Sequence, residues 1–135
     1  MPLDFTSLEK AVARLSEGLS RHLSEPADTQ LRDGLTLRFE STYDLSHKML
    51  RRALEAAAAT PGEIDLMSFP TLVRTGYEQG VLEQGWSAWE AYRKMRNITS
   101  HTYDEVQANA VVAMIPEFLQ EARFLLQRLT DGEVR

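Results

Sequence analysis

An all-α fold, an up-down bundle of four long helices and one short one, is what this sequence predicts. Apolar residues recur every three or four positions through most of the 135 residues. Pro26, the TPGEID segment and Gly80 divide these runs. No alternating β-branched run lasts beyond a few residues, and no repeat or low-complexity tract is visible.

The first helix is expected from about Asp4 to Ser24, where Leu8, Val12, Leu15, Leu19 and Leu23 form one apolar stripe and Pro26 closes the segment. A second runs from near Asp28 to Ala58 on Leu31, Leu35, Phe39, Tyr43, Met49, Leu50 and Leu54. TPGEID, residues 60–65, is read as a break. A short helix follows from Ser68 to Gln79, with Ser68 as N-cap, Pro70 tolerated in the first turn and Gly80 as the stop. The fourth spans about Ser87 to Arg96. The last runs from Tyr103 to Leu129 on Val106, Ala110, Met114, Phe118, Leu125 and Leu129, with a kink expected at Pro116, which removes a backbone donor.

The length and a hydrophobic content of 43% suit one domain, residues 1–135, with a core of its own. The absence of cysteine excludes disulfides and thiolate metal sites. His22, His47 and His101 are too scattered to suggest a metal site. MPLDFTSLEK has no basic or apolar leader region, and no apolar run approaches the ~20 residues that span a bilayer, so a cytoplasmic protein with no membrane contact is expected. A net charge of −5 argues against nucleic-acid binding over the whole surface, because that affinity comes from lysine and arginine displacing counterions from phosphates. Basic charge is local instead. Between Ala91 and Tyr103 the only formal charges are Arg93, Lys94 and Arg96.

Those charges adjoin RNITSHTY, residues 96–103. On an uninterrupted helix Arg96 and His101, five positions apart, would be separated by ~140° of net rotation and face away from each other. A shared site therefore needs a break in the helix or a second element or subunit. Thr102-Tyr103-Asp104-Glu105 matches a capping box, with Thr102 as N-cap and Glu105 reaching back, which sets His101 just before a helix N-terminus whose free N–H groups suit a phosphate. Beside a phosphate, a histidine of pKa near ~6.5 can move the proton of a ribose 2′-hydroxyl or of a leaving oxygen, and an arginine can brace the developing charge. The plainer reading is a helix junction, in which Asn97, Thr99, Ser100 and Thr102 satisfy backbone groups, Arg96 pairs with a helix end and His101 is a surface residue.

Beyond that motif, LRDGLTLRFESTYDLSHKMLRRALE (31–55), RTGYEQGVL (74–82) and W-x6-RNITSHTYDE (89–105) resemble the HEPN-domain family of nucleotidyltransferase substrate-binding proteins, which includes HepT-like ribonuclease toxins. The resemblance covers about residues 5–130, and the family pattern R-x4-H-x-Y is met by Arg96, His101 and Tyr103. It implies a homodimer in which two such motifs meet at the interface as a metal-independent endoribonuclease acting on RNA, with no DNA substrate. It also implies a toxin whose minimal nucleotidyltransferase antitoxin inactivates it by moving AMP from ATP to Tyr103. The chain itself would need no cofactor and bind no metal; the partner would use ATP and magnesium. His101 would be the acid/base, Arg96 the transition-state anchor and Asn97 a supporting residue. Charge and bulk from AMP on Tyr103 would compete with RNA for Arg96.

Asp44 and Lys48 are spaced for an i,i+4 pair, and Lys48, Arg51 and Arg52 form a basic run that reads as a solvated face or an RNA guide. Relatives often carry an aromatic, commonly Trp, where this chain has His47. Trp86, Trp89 and Tyr92 read as core or dimer contacts. Two other functions fit the sequence: a non-catalytic substrate-binding or accessory subunit of a nucleotidyltransferase, toward which the acidic charge leans, and a purely structural helical dimer. The intact triplet of Arg96, His101 and Tyr103 favours the ribonuclease.

Overall fold

The computed structural model describes residues 3–132, so the first two positions of the segment read for a leader, and the last three of the expected domain, lie outside the described residues. Six helices occupy the described chain: α1 (Thr6–Ser24), α2 (Thr29–Ala57), α3 (Pro61–Asp65), α4 (Phe69–Glu78), α5 (Trp86–Asn97) and α6 (Glu105–Asp131). None is long and apolar enough to cross a membrane.

α1 and α2 form a helical hairpin, and α6 packs against both. Asp28 caps α2 by accepting from the Gln30 and Leu31 amides. Of the expected α1 stripe, Leu8, Val12 and Leu15 are buried, whereas Leu23 is exposed at the end of the helix. TPGEID is more than a break. Pro61 sits at the first turn, where its missing N–H costs nothing, and residues 61–65 form α3 under α2, with Ile64 buried. Arg51 fastens it by donating to the Ile64 carbonyl at 2.9 Å.

Ser68 caps α4 as expected, accepting from the Thr71 amide. Gly80 (φ 76°) lets the chain turn back so that the Val81 and Leu82 amides reach the Gly76 carbonyl, a left-handed conformation that a side chain would strain.

α6 begins later than its apolar pattern suggests, at Glu105 rather than Tyr103, and runs unbroken through Pro116. Val106 (79% exposed) and Ala110 do not belong to its buried face. That face is Ala108, Val111, Ile115, Phe118, Leu119, Ala122, Leu125 and Leu129.

The core centre is aromatic. Phe118 meets Phe39 edge-on at 5.0 Å, Tyr92 at 5.2 Å and Trp89 at 5.9 Å between ring centres, a geometry that adds to simple area burial. Trp89 and Tyr92 are core residues, and Trp86 is half-buried at its rim. One carboxylate lies in this apolar region. Glu121, 1% exposed, accepts from the Glu83 and Gln84 amides and the Trp89 indole. Burial pushes its pKa up, against the three N–H donors that favour its charge.

Candidate active site at the junction of α5 and α6

α5 ends at Asn97, so the chain does break between Arg96 and His101. Residues 98–104 make a series of tight turns, with the His101 amide bonded to the Ile98 carbonyl and the Asp104 amide to the His101 carbonyl. Thr99 is buried in this junction, and its hydroxyl bridges the Arg96 carbonyl and the Glu40 carboxylate of α2.

The expected capping box does not form. Asp104, not Thr102, caps α6, accepting from the Val106 and Gln107 amides. An aspartate two and three residues from those amides offers them a charged acceptor with little chain to order, which outcompetes a threonine hydroxyl farther back. Glu105 is thereby released from a capping role and pairs with Arg32 of α2. Arg32 is 6% exposed and also reaches the Thr102 carbonyl at 3.5 Å, so it ties both ends of the last turn to the bundle. Because Asp104 occupies the first amides of α6, that terminus is not the phosphate cradle expected from the sequence.

Arg96 faces α2. Its Nε and Nη2 donate side-on to the two Asp44 oxygens at 2.9 and 3.0 Å, and Nη2 lies 3.4 Å from Glu40. This overturns the expected Asp44–Lys48 pairing: the planar fork of Arg96 matches the carboxylate with two bonds where lysine offers a point charge. The Asp44 bond holds Arg96 still more firmly in its charged form. Nη1 has no protein acceptor among the described residues.

His101 is half-buried, and its Nδ1 lies 3.0 Å from the Tyr103 hydroxyl. Tyr103 is 82% exposed. The structure thus brings His101 and Tyr103 together and places Arg96 at the neighbouring helix end. Asn97, the last residue of α5, is exposed, and its side-chain amide makes no hydrogen bond among the described residues.

Arg96 and Asn97 line a cleft of about 260 Å³ together with Tyr43, Asp44, His47, Phe69 and Arg93. His47 packs against Phe69 with ring centres 4.0 Å apart. Burial lowers the His47 pKa, and Arg51 and Arg93 reinforce the effect against the opposing Asp44, so its ring is neutral near pH 7. Burial also pushes the Tyr43 hydroxyl up to about 12, which keeps its proton.

The family model for nucleotidyltransferase substrate binding protein like chains matches residues 3–131. The chain belongs to that family. It is 40% identical over 127 residues, 93% of its own length and 86% of the relative's, to a Haemophilus influenzae protein called probable ribonuclease HepT. A solved Haemophilus influenzae structure, described as the fold of a substrate-binding domain of a nucleotidyltransferase, is 34% identical and superposes with a TM-score of 0.87. That match covers 94% of this family member and 99% of the solved chain.

Within this family member, Asp44, Glu40 and Arg32 are site residues that sequence reasoning missed. They lie on α2, more than 50 positions from the residues they hold, and no local pattern announces pairing at that separation.

Proposed function

We propose that this chain is a metal-independent endoribonuclease, the toxin of a toxin–antitoxin pair, working as a homodimer whose two Arg96–His101 motifs meet across the interface. The contact between His101 and Tyr103 carries the reading. The acid/base role needs the tautomer in which Nδ1–H donates to the Tyr103 oxygen across this 3.0 Å contact, leaving the Nε2 lone pair to remove a proton. In the imidazolium, Nδ1–H makes the same bond while Nε2–H serves as the acid. Tyr103 therefore orients the ring in both forms the reaction needs.

The chemistry balances on these groups. Nε2 takes the proton of a ribose 2′-hydroxyl, the 2′-oxygen attacks phosphorus, and the bond to the 5′-oxygen breaks as that oxygen gains a proton. Products are a 2′,3′-cyclic phosphate and a 5′-hydroxyl. The free Nη1 donors of Arg96, braced from behind by Asp44, stabilise the phosphorane charge.

The same contact explains an off-switch. Transfer of AMP from ATP by a partner nucleotidyltransferase would convert the Tyr103 hydroxyl into an aryl phosphodiester. The oxygen then shares its lone pairs with ring and phosphorus and accepts poorly from Nδ1–H, while the added phosphate competes for Arg96. Exposure of Tyr103 leaves it open to such a transferase.

Induced expression of wild type and of His101→Ala, Arg96→Ala and Tyr103→Phe, with RNA integrity followed over time, tests the catalytic assignment. RNA loss that survives both the His101 and Arg96 changes overturns it. Incubation with the partner and ATP should add AMP-sized mass to wild type and none to Tyr103→Phe.

A second reading, a non-catalytic subunit that presents substrate to a nucleotidyltransferase, draws on the description of the solved relative as a substrate-binding domain. It predicts that purified dimer leaves RNA intact.

A further inference from the structure

The cleft beside Arg96 holds more recognition chemistry than transfer to a 2′-oxygen uses. Tyr43 lines it, and its hydroxyl makes no hydrogen bond among the described residues, although the residue as a whole is only 5% exposed. The Asn97 side-chain amide, which can both donate and accept, stands at the same wall with no hydrogen bond among the described residues. His47 lines it too, its ring packed against Phe69 with centres 4.0 Å apart and planes tilted by 45°. Phe69 in turn is braced edge-on by Trp86 at 5.8 Å and Trp89 at 6.2 Å. Arg93 adds a second cation next to Arg96, its guanidinium carbon 5.9 Å from the Phe69 ring centre. An aromatic ring, unbonded donors and an acceptor, and two arginines in one cleft match the parts of a nucleotide: flat base, polar base edge and phosphate.

We propose that this cleft is a subsite for one unpaired nucleotide of single-stranded RNA, stacking its base on His47, reading its edge with Tyr43 and Asn97, and holding its phosphate on Arg93. The inference rests on the ribonuclease reading and deepens it: the nucleotide bound here neighbours the scissile phosphate on Arg96, so the cleft sets which sequence is cut. A double helix is excluded as ligand, because its bases are already stacked and cannot reach a side-chain ring. Neutral His47 suits this role, since an imidazole without charge stacks on a base without the cost of burying a cation.

The test uses the full chain and a short 2′-O-methyl RNA, which binds but lacks the nucleophile, titrated by fluorescence anisotropy with either a normal or an abasic residue at each position in turn. Wild type should bind about tenfold more weakly when one particular position is abasic, the scale of one lost base–aromatic stack. His47→Ala should bind the normal and abasic forms alike, and His47→Phe should restore the difference, with circular dichroism confirming that each variant is folded. A wild type indifferent to abasic positions, or a His47→Ala protein that keeps the tenfold difference, overturns the subsite. So does displacement by 5′-AMP that depends on His47 without any abasic effect, which would make the cleft a mononucleotide site. Cleavage of unmodified RNA is measured separately. Cleavage with no His47-dependent discrimination defeats the subsite and leaves the ribonuclease, whereas discrimination without cleavage does the reverse.

Discussion

The two ends of α5 are built to opposite purposes. At its N-terminal end the buried Glu121 carboxylate gathers two backbone amides and the buried Trp89 indole at the aromatic core. At its C-terminal end Arg96 is held by acids that are themselves partly exposed, and His101 leans on a tyrosine standing out in solvent. Burial makes the first end expensive to alter, because each orphaned donor keeps its desolvation cost. Exposure makes the second end cheap to alter in stability and leaves its polar groups free for a ligand. α5 thus joins a buried polar anchor to a loosely covered polar tip.

That contrast is broken most severely at the tip if the ribonuclease assignment is right. His101→Ala should lower RNA cleavage by roughly 10²–10⁴-fold, the usual worth of a positioned acid/base, while the melting temperature stays close to wild type. At the opposite end, Glu121→Gln should cost about 2–3 kcal/mol of stability in urea, because its amide turns a donor toward N–H groups that need an acceptor, with little change in intrinsic cleavage rate.

The pH dependence of that end sharpens the difference. The folded pKa of Glu121 is raised, so between the unfolded value of 4.5 and the higher folded value the native state binds the proton more tightly. Stability should therefore fall as pH rises through that window, and the Glu121→Gln curve should lack this fall; parallel curves in chemical denaturation would contradict the burial of the charge.

Smaller effects concern how the tip is aimed. Asp44→Asn leaves Arg96 charged but weakens its two-point support, and should reduce cleavage about tenfold with unchanged unfolding midpoint. Tyr103→Phe removes one exposed hydrogen bond to His101, which is worth about 1 kcal/mol, and should slow cleavage by a few-fold while abolishing AMP addition.

The same contrast explains what could be read from the sequence. Leu35, Phe39, Tyr43, Leu50 and Leu54 announce the buried face of α2 because burial repeats with the helical turn. Ser68 and Gly80 announce the ends of α4 because a cap and a left-handed turn are chemistry of single residues. The junction resisted that reading. Thr102-x-x-Glu105 has the letters of a capping box, yet Asp104 lies nearer to the amides and Arg32 competes for Glu105 from α2. Val106 and Ala110 keep helical spacing from Met114 but lie on the outward side of α6, whose buried face at this level is Ala108 and Val111, so spacing alone picks the wrong side of the helix. Arg96, His101 and Tyr103 were legible as a motif, whereas the acids that aim Arg96 come from a distant turn of α2 and are visible only once the chain has folded.

The most direct test is cleavage of RNA by the purified full chain, alongside His101→Ala and Arg96→Ala proteins shown to have wild-type melting curves. Cleavage by wild type that leaves 2′,3′-cyclic phosphate ends and disappears in both variants is the predicted result. Equal cleavage by all three proteins, or intact RNA with wild type, would contradict the account.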